Sequence, residues 1–200
     1  EIRDTFGGAN IIVMSVEVDE GTIFTNDTLD RIHRITQALD SVKNINHNLV
    51  SSLTHRNTRK IWITPDGTIR SKNYYDPQHG DYTEAELAGI QRDVVSSDNV
   101  YGLLVSPDMK SALIKGTLNE GQLRYRVVFD ELQAIREAEA APEVTLHATG
   151  NPVLVGWVDS YSGQILQIFM YTIVIVLVIL IVYTRRVYGI MLPLLGMALT

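Results

Sequence analysis

The chain has 200 residues, a mass of 22.4 kDa, a net charge of −6 and no cysteine. The acidic balance argues against a nucleic-acid partner, and the lack of cysteine excludes disulfides, thiolate zinc sites and cysteine nucleophiles. Residues 165–184 read ILQIFMYTIVIVLVILIVYT and carry no charge. Twenty helical residues span about 30 Å, the thickness of the hydrocarbon core of a bilayer, so a wholly soluble protein is also excluded.

Before this apolar segment, the hydrophobic pattern alternates between strands and amphipathic helices. A period of two, as in Met14, Val16 and Val18, predicts strands with one buried face. Steps of three and four residues predict helices with one apolar face. The predicted elements, in chain order, are a strand over 10–18, a helix over 27–42, a strand over 48–53, a hairpin over 60–64 and 68–70, a helix over 84–95, a hairpin over 101–105 and 111–118, a helix over 122–140 and a strand over 144–149.

Capping and turn residues set several of these bounds. Asn26 is the predicted N-cap of the first helix, and Thr83 forms a predicted capping box with Glu86 at the start of the short helix. The sequence Pro65-Asp66-Gly67 suits the turn of a tight hairpin. Residues 71–81 are polar and rich in turn formers, so they are predicted to form a loop.

The order of the elements predicts the fold. With an insertion at about 55–100 set aside, the order is strand, helix, strand, strand, helix, strand. This order is typical of an α+β fold with the ferredoxin-like, split βαβ arrangement, in which two helices cover one face of an antiparallel sheet. Residues 1–150 are therefore expected to form one domain, with the helices 27–42 and 122–140 on the same face.

A last helix is expected to leave this domain and enter the membrane. Residues 151–164 form the predicted junction helix, with Asn151 as its cap and Pro152 at its first position. Gly156 and Gly163 are its only evident soft points, and each is explained equally well as a site of close helix packing.

The predicted transmembrane helix, 165–184, also sets the orientation. Arg185-Arg186 follows it directly, so the positive-inside rule makes 185–188 a cytoplasmic turn and places the domain on the extracytoplasmic side. The apolar run 189–200 is the predicted start of the next transmembrane helix. We therefore expect the chain to be a piece of a larger, multi-pass membrane protein.

No motif points to a catalytic site, a cofactor or a metal ion, so no residue is predicted for any of these roles. Gly7-Gly8 precedes a strand, whereas a phosphate-binding glycine loop follows one. The histidines lack the spacing of a metal site and are expected to be solvated or capping residues. They are His33, His47, His55, His79 and His147.

The transmembrane helix carries no ionisable residue that could relay a proton. Gln167 is the one strongly polar residue of its first two turns and is expected to bond a neighbouring helix or reach the interface. Asp159 lies about 9 Å outside the apolar core by helix rise and is expected to be a solvated charge.

Ordered motifs along the chain resemble the resistance-nodulation-division (RND) superfamily, especially its hydrophobe- and lipid-exporter-like branch. The resemblance covers essentially the whole chain and rests on the order and spacing of the motifs, since none is decisive alone. The motifs are Phe6-Gly7-Gly8, Ile23-Phe24-Thr25, Leu29-x-x-Ile32, Val50-Ser51-Ser52-Leu53-Thr54, Leu104-Val105-Ser106-Pro107-Asp108, Thr149-Gly150-Asn151-Pro152-Val153-Leu154 and Leu192-Pro193-Leu194.

The resemblance implies a secondary transporter component rather than an enzyme. In that family such a segment is the first periplasmic porter domain, followed by the second transmembrane helix and the start of the third, in the bacterial inner membrane. The family exports hydrophobic or amphiphilic molecules, such as lipids or drugs, with the proton gradient. The implied partners are membrane lipids, the substrate and the rest of the same transporter chain, and further copies of the chain are left open. No functional residue of the family falls on this chain.

Two other functions remain open at this point. A protein-translocation accessory of the Sec-associated branch has a similar architecture but moves polypeptide. A sterol-sensing-type receptor shares the fold without pumping. Buried acidic residues in a later span would favour a proton-driven machine, and their absence would favour a receptor.

Overall fold

The computed structural model describes residues 10–119 and 124–184, which fall into two units. The first unit ends at Trp157 and the second begins at Val158. The elements are β1 (Ile11–Val18), α1 (Asn26–Ser41), β2 (Arg59–Ile63), β3 (Ile69–Asn73), α2 (Glu84–Val95), β4 (Ser111–Thr117), α3 (Tyr125–Ala138), β5 (Val144–Thr149) and α4 (Asn151–Thr184), with one 3-10 turn at His47–Leu49.

The main sheet of the first unit is antiparallel, with the strand order β4-β1-β5. Alternation along β1 buries Ile12, Met14 and Val16 completely on one face, while Ile11 on the other face is 45% exposed. A strand with this period of two presents one set of side chains to the core. The predicted α+β class with an antiparallel sheet is confirmed.

Helices α1 and α3 cover the buried face of this sheet. Leu29, Ile32 and Leu39 of α1 join the same hydrophobic core as Val128 and Leu132 of α3. Because only one face of β1 is buried, both helices pack on that face. Apolar residues at steps of three and four positions give each helix the apolar stripe that it buries.

The predicted strand over 48–53 is wrong. Ser51 makes a single antiparallel bridge to Lys115 of β4, with N–H to O distances of 2.9 and 2.8 Å in the two directions. The Ser52 and Thr54 hydroxyls lie within hydrogen-bond distance of the buried Thr36 hydroxyl of α1, at 2.8 and 3.3 Å. Ser52, Leu53 and Thr54 are buried in succession, so the alternation that a half-buried strand requires is absent.

The predicted hairpin over 101–105 and 111–118 is correct only in its second arm. Residues 101–105 form tight turns, because Leu104 and Val105 both donate their N–H to the Val100 carbonyl. Gly102 has a φ of +76°, a left-handed conformation that glycine adopts without a steric penalty. This segment therefore reaches β4 only through the bridge from Val105 to Ala112.

The region about 55–100 adds a separate hairpin and a helix. Strands β2 and β3 pair antiparallel as their own two-stranded sheet, and β3 extends to Asn73 inside the predicted loop. The capping box of Thr83 and Glu86 at the start of α2 is confirmed. The tyrosines Tyr74 and Tyr75, directly after β3, are buried in the main core.

Two helix starts differ from the prediction. Thr25, not Asn26, caps α1, since its hydroxyl accepts the N–H of Thr28 at 3.2 Å. The Asn26 side chain instead bonds the backbone N–H and carbonyl of Tyr82, both at 2.9 Å. Helix α4 begins at Asn151, so this residue, the predicted cap, lies within the helix. The predicted start of the preceding helix at Gln122, the turn 185–188 and the span from Gly189 lie outside the described residues.

Candidate functional site

The most apolar part of the protein is the second half of α4. In the described part of the chain, one helix is long and apolar enough to cross a membrane, and it runs over Asn151–Tyr183. Side chains along it stay exposed within the protein, for example Leu166 at 65% and Val182 at 69%. A helix that is apolar on all sides, and exposed with respect to the other described residues, matches a lipid-facing span.

Polar side chains within this span find partners on the helix itself. Gln167 donates from Nε2 to the Tyr171 hydroxyl at 3.1 Å, one turn further on. The Thr172 hydroxyl donates to the Ile168 carbonyl at 2.9 Å. The Gln167 amide, which was expected to bond a neighbouring helix, thus has a partner one turn away on its own helix. Asp159, which precedes the span, is exposed as expected.

The first turns of α4 are packed tightly within the first unit. Pro152 and Gly156 are buried, and Val153 contacts the core. A Cβ added to Gly156 would lie 2.5 Å from the Phe129 Cβ and 2.5 Å from the Tyr125 carbonyl oxygen, both in α3. A Cβ on Gly163 would meet nothing within 4 Å. The two glycines that the sequence could not separate therefore differ, and only Gly156 permits a close helix contact.

A polar cavity lies on the outer side of α1. Its volume is about 190 Å³, enough for several waters or a small polar molecule. His33 and Asp40 of α1 line it together with His55 and Tyr75. The rings of His33 and Tyr75 have centroids 5.4 Å apart, and the Tyr75 hydroxyl donates to Asp30.

Burial shifts the pKa values of the titratable side chains that line this cavity. Burial lowers the pKa of His33 below its usual value, against the opposing effects of the nearby Thr54 backbone and the charge of Asp30. Burial also lowers the pKa of His55, which is 3% exposed, while Asp40 acts in the opposite direction. Burial and the bond to Asp30 raise the pKa of Tyr75. The lowered pKa values favour the neutral form of both histidines.

The expectation that all histidines are solvated or capping residues is wrong for two of them. His33 is partly buried, and its Nδ1 has no hydrogen-bond partner among the described residues. His55 is buried, and its Nδ1 accepts the N–H of Asn57 at 3.3 Å. They lie 22 positions apart in sequence, so no local spacing could have indicated that they share a cavity.

The remaining histidines lie at the surface or in exposed pairs. His47 contacts Asp40 at 2.9 Å, and His79 contacts Glu86 at 3.4 Å while stacking on Tyr82. In the described ranges, no three histidine or acidic side chains are grouped so that they could hold a metal ion. The cavity offers protonatable groups and hydrogen bonds, and the span offers an apolar surface.

Comparison with known proteins adds one match. A family model described as the MMPL family matches residues 6–200, nearly the whole chain. No curated protein matches the chain.

Proposed function

The chain belongs to the MMPL family, whose members are membrane transporters of the RND type, and on this premise we propose that it is part of a proton-driven exporter of hydrophobic or amphiphilic molecules. The observation that carries the proposal is the family match over residues 6–200, which includes both the α+β unit and the apolar helix. Lipid-like molecules and drugs are the proposed substrates.

Within that exporter, residues 1–150 act as a porter domain of the ferredoxin-like, split βαβ type. The strand order supports this assignment, since β5 lies beside β1 and β1 beside β4. Ser51 bridges to β4 on its far side, at the position that the second strand of this topology occupies. Two isolated bridges, from Ser51 to Lys115 and from Ile45 to Leu118, thus stand in for that strand.

The segment lines the substrate path and moves during transport. It does not couple transport to the proton gradient. Residues 165–184 carry no acidic, basic or histidine side chain, so the proton-coupling groups belong to other spans of the transporter. Helix α4 is α-helical without interruption over 34 residues. Its first turns pack closely against α3 at Gly156. This close packing supports a role in which displacement of the transmembrane helix also displaces the porter domain.

The proposed location is the bacterial inner membrane, with the porter domain in the periplasm. The basic pair Arg185-Arg186 directly after the uncharged span supports this orientation through the positive-inside rule.

The proposed activity is tested by the accumulation of a fluorescent lipophilic dye in cells that express the full transporter. Cells with the transporter should accumulate less dye than cells without it, and a proton ionophore should abolish the difference. Because an ionophore also lowers cellular ATP, the control restores the gradient artificially in ATP-depleted cells, where efflux should resume.

Other results would point to a different function. Efflux that survives collapse of the gradient and stops only without ATP would contradict proton coupling. Absence of efflux for every amphiphile, combined with saturable binding of a sterol or an unfolded peptide, would replace the exporter by a receptor or a translocation accessory.

A further inference from the structure

The polar cavity on the outer side of α1 lies at the base of the β2–β3 hairpin. His55, which precedes β2, lines the cavity at one end of the hairpin, and Tyr75, which follows β3, lines it at the other end. His33 lines it from α1. The two ends of the hairpin therefore meet over a histidine of α1, and one of them contributes a second histidine.

The chain that follows the hairpin is attached to α1 by polar contacts. We call residues 75–82 the return segment. At its start, the Tyr75 hydroxyl donates to Asp30. At its end, the Asn26 side chain bonds the backbone N–H and carbonyl of Tyr82, both at 2.9 Å. The return segment is thus held at both ends by side chains of α1.

The surroundings of His33 suit a neutral ring and not a charged one. Its Nδ1 is buried and has no hydrogen-bond partner among the described residues. An imidazolium carries an N–H on both ring nitrogens, so protonation would leave a buried donor at Nδ1 without an acceptor. Tyr75, with its ring centroid 5.4 Å away, supplies no negative charge, because burial raises the pKa of its hydroxyl.

His55 has the same incompatibility for a different reason. Its Nδ1 accepts the backbone N–H of Asn57 at 3.3 Å. On a protonated ring Nδ1 becomes a donor, so two N–H groups would face each other and the bond would be lost. The closed cavity therefore accommodates both histidines in their neutral form.

Nearby charges do not reverse this preference. Burial lowers the pKa of both histidines, although Asp30 acts in the opposite direction at His33 and Asp40 does so at His55. The charge of Arg56 and the neighbouring His33 lower the pKa of His55 further. Protonation therefore costs free energy for as long as the cavity stays closed.

We propose that this cavity is a pH-sensitive switch, in which protonation of His33 and His55 releases the return segment from α1 while the main sheet stays folded. Opening lets water hydrate the two charged rings and accept their Nδ1–H groups. The closed form is favoured above the ordinary pKa of histidine, and this preference is lost as the pH falls towards the pKa values of the closed cavity. The proposal concerns a local opening and does not rest on the exporter proposal.

Hydrogen exchange of the full chain in detergent at pH 7.5 and 5.5 tests this opening. The reporter is the peptide that contains the Tyr82 amide, which donates to the Asn26 side chain, and β1 reports unfolding of the whole first unit. With the chemical exchange rate at each pH divided out, the reporter should be less protected than β1 at both pH values. Its protection should fall about tenfold at pH 5.5, which is one unit below the ordinary pKa of histidine.

Three variants identify the group that responds to pH. His33→Gln puts a neutral polar side chain in the cavity and should reduce the fall to about threefold. Two controls should keep the full fall: His147→Gln, at an exposed position of β5, and His79→Gln, which removes the ring that stacks on Tyr82 in the return segment.

Several results would overturn the proposal. Protection of the reporter equal to that of β1 at both pH values would mean that the return segment opens only with the whole unit. No fall on acidification, a fall that His33→Gln leaves unchanged, or a fall that either control abolishes would exclude the cavity as the switch. The comparison with β1 uses the native chain alone, so it stands even if a variant does not fold.

Discussion

Gly156 lies so close to Phe129 that a methyl group on the glycine would come within 2.5 Å of the phenylalanine Cβ. Real Cβ contacts are not this short, and the Tyr125 carbonyl, at the same distance, belongs to a helix backbone that cannot move aside alone. The contact fixes the first turns of α4 on α3. It is the closest helix approach that a glycine makes in the described part of the chain.

Gly156→Ala should destabilise the first unit by about 1–3 kcal/mol, the usual cost of overpacking. Thermal unfolding of the protein in detergent measures this loss. Gly89→Ala is the matched control, since Gly89 lies inside α2 and has nothing within 4 Å of its added Cβ. That variant should gain about 0.5–1 kcal/mol from helix propensity. A gain of similar size in both variants would show that α3 and α4 are not in close contact.

Glu139→Gln should weaken the connection between α1 and α3. Arg34 donates from Nε and Nη2 to the two carboxylate oxygens of Glu139, both at 2.8 Å, and Arg31 donates to the Glu139 carbonyl. A bidentate pair of this kind is the strongest form of an arginine–carboxylate bond. Because the Arg34 side chain is 51% exposed, the expected loss is only about 1 kcal/mol.

Urea unfolding at low and high salt measures the loss in the Glu139 variant. The expected difference from the native chain shrinks at high salt, because salt screens the pair. Glu137→Gln, an exposed position in α3, serves as the control and should change stability by less than about 0.5 kcal/mol. Equal losses in the two variants would mean that the Arg34 pair contributes nothing specific.

The stability of the first unit should fall as the pH drops below about 6.5, the usual pKa of histidine. The pKa values of His33 and His55 are lower in the folded protein, so the unfolded chain binds protons first on acidification. Stability from these groups is present above the unfolded pKa and is lost as the pH falls towards the folded pKa. Proton uptake thus favours unfolding in this range.

Melting temperatures at pH 7.5 and 5.5 test this pH dependence. His33→Gln, at the partly exposed edge of the cavity, should show a smaller difference between the two pH values than the native protein. His147→Gln, at an exposed position of β5, should keep the full difference. If all three proteins lost the same stability on acidification, the cavity histidines would not be its source.

The sequence identified those elements whose residues follow one period throughout. Strand β1 and helix α1 have clear periods of two and of three to four residues, and both were predicted within one or two residues. The segment 48–53 contains Leu49, Val50 and Leu53, apolar residues that are compatible with a strand. The hydroxyls of Ser52 and of Thr54, the residue directly after the segment, instead bond Thr36, a contact set by the position of α1 that the local sequence does not encode.

At the candidate sites, too, the sequence predicts what depends on neighbouring residues and does not predict contacts between distant segments. Gly156 was recognised as either a soft point or a packing site, and only the position of Phe129 decides between them. The cavity was not predicted, because His33 and His55 come from separate segments.

The orientation in the membrane gives the last prediction. Ser71 lies on the exposed strand β3, and the chain has no native cysteine, so Ser71→Cys provides a single labelling site outside the apolar core. Under the proposed topology, a membrane-impermeant maleimide should label this site in cells with an intact inner membrane. Val187→Cys, after the basic pair, should be labelled only once that membrane is permeabilised, because the positive-inside rule places it in the cytoplasm. The reverse pattern, with Val187→Cys labelled in intact cells and Ser71→Cys protected, would invert the protein in the membrane. It would also remove the periplasmic porter domain from the proposed mechanism.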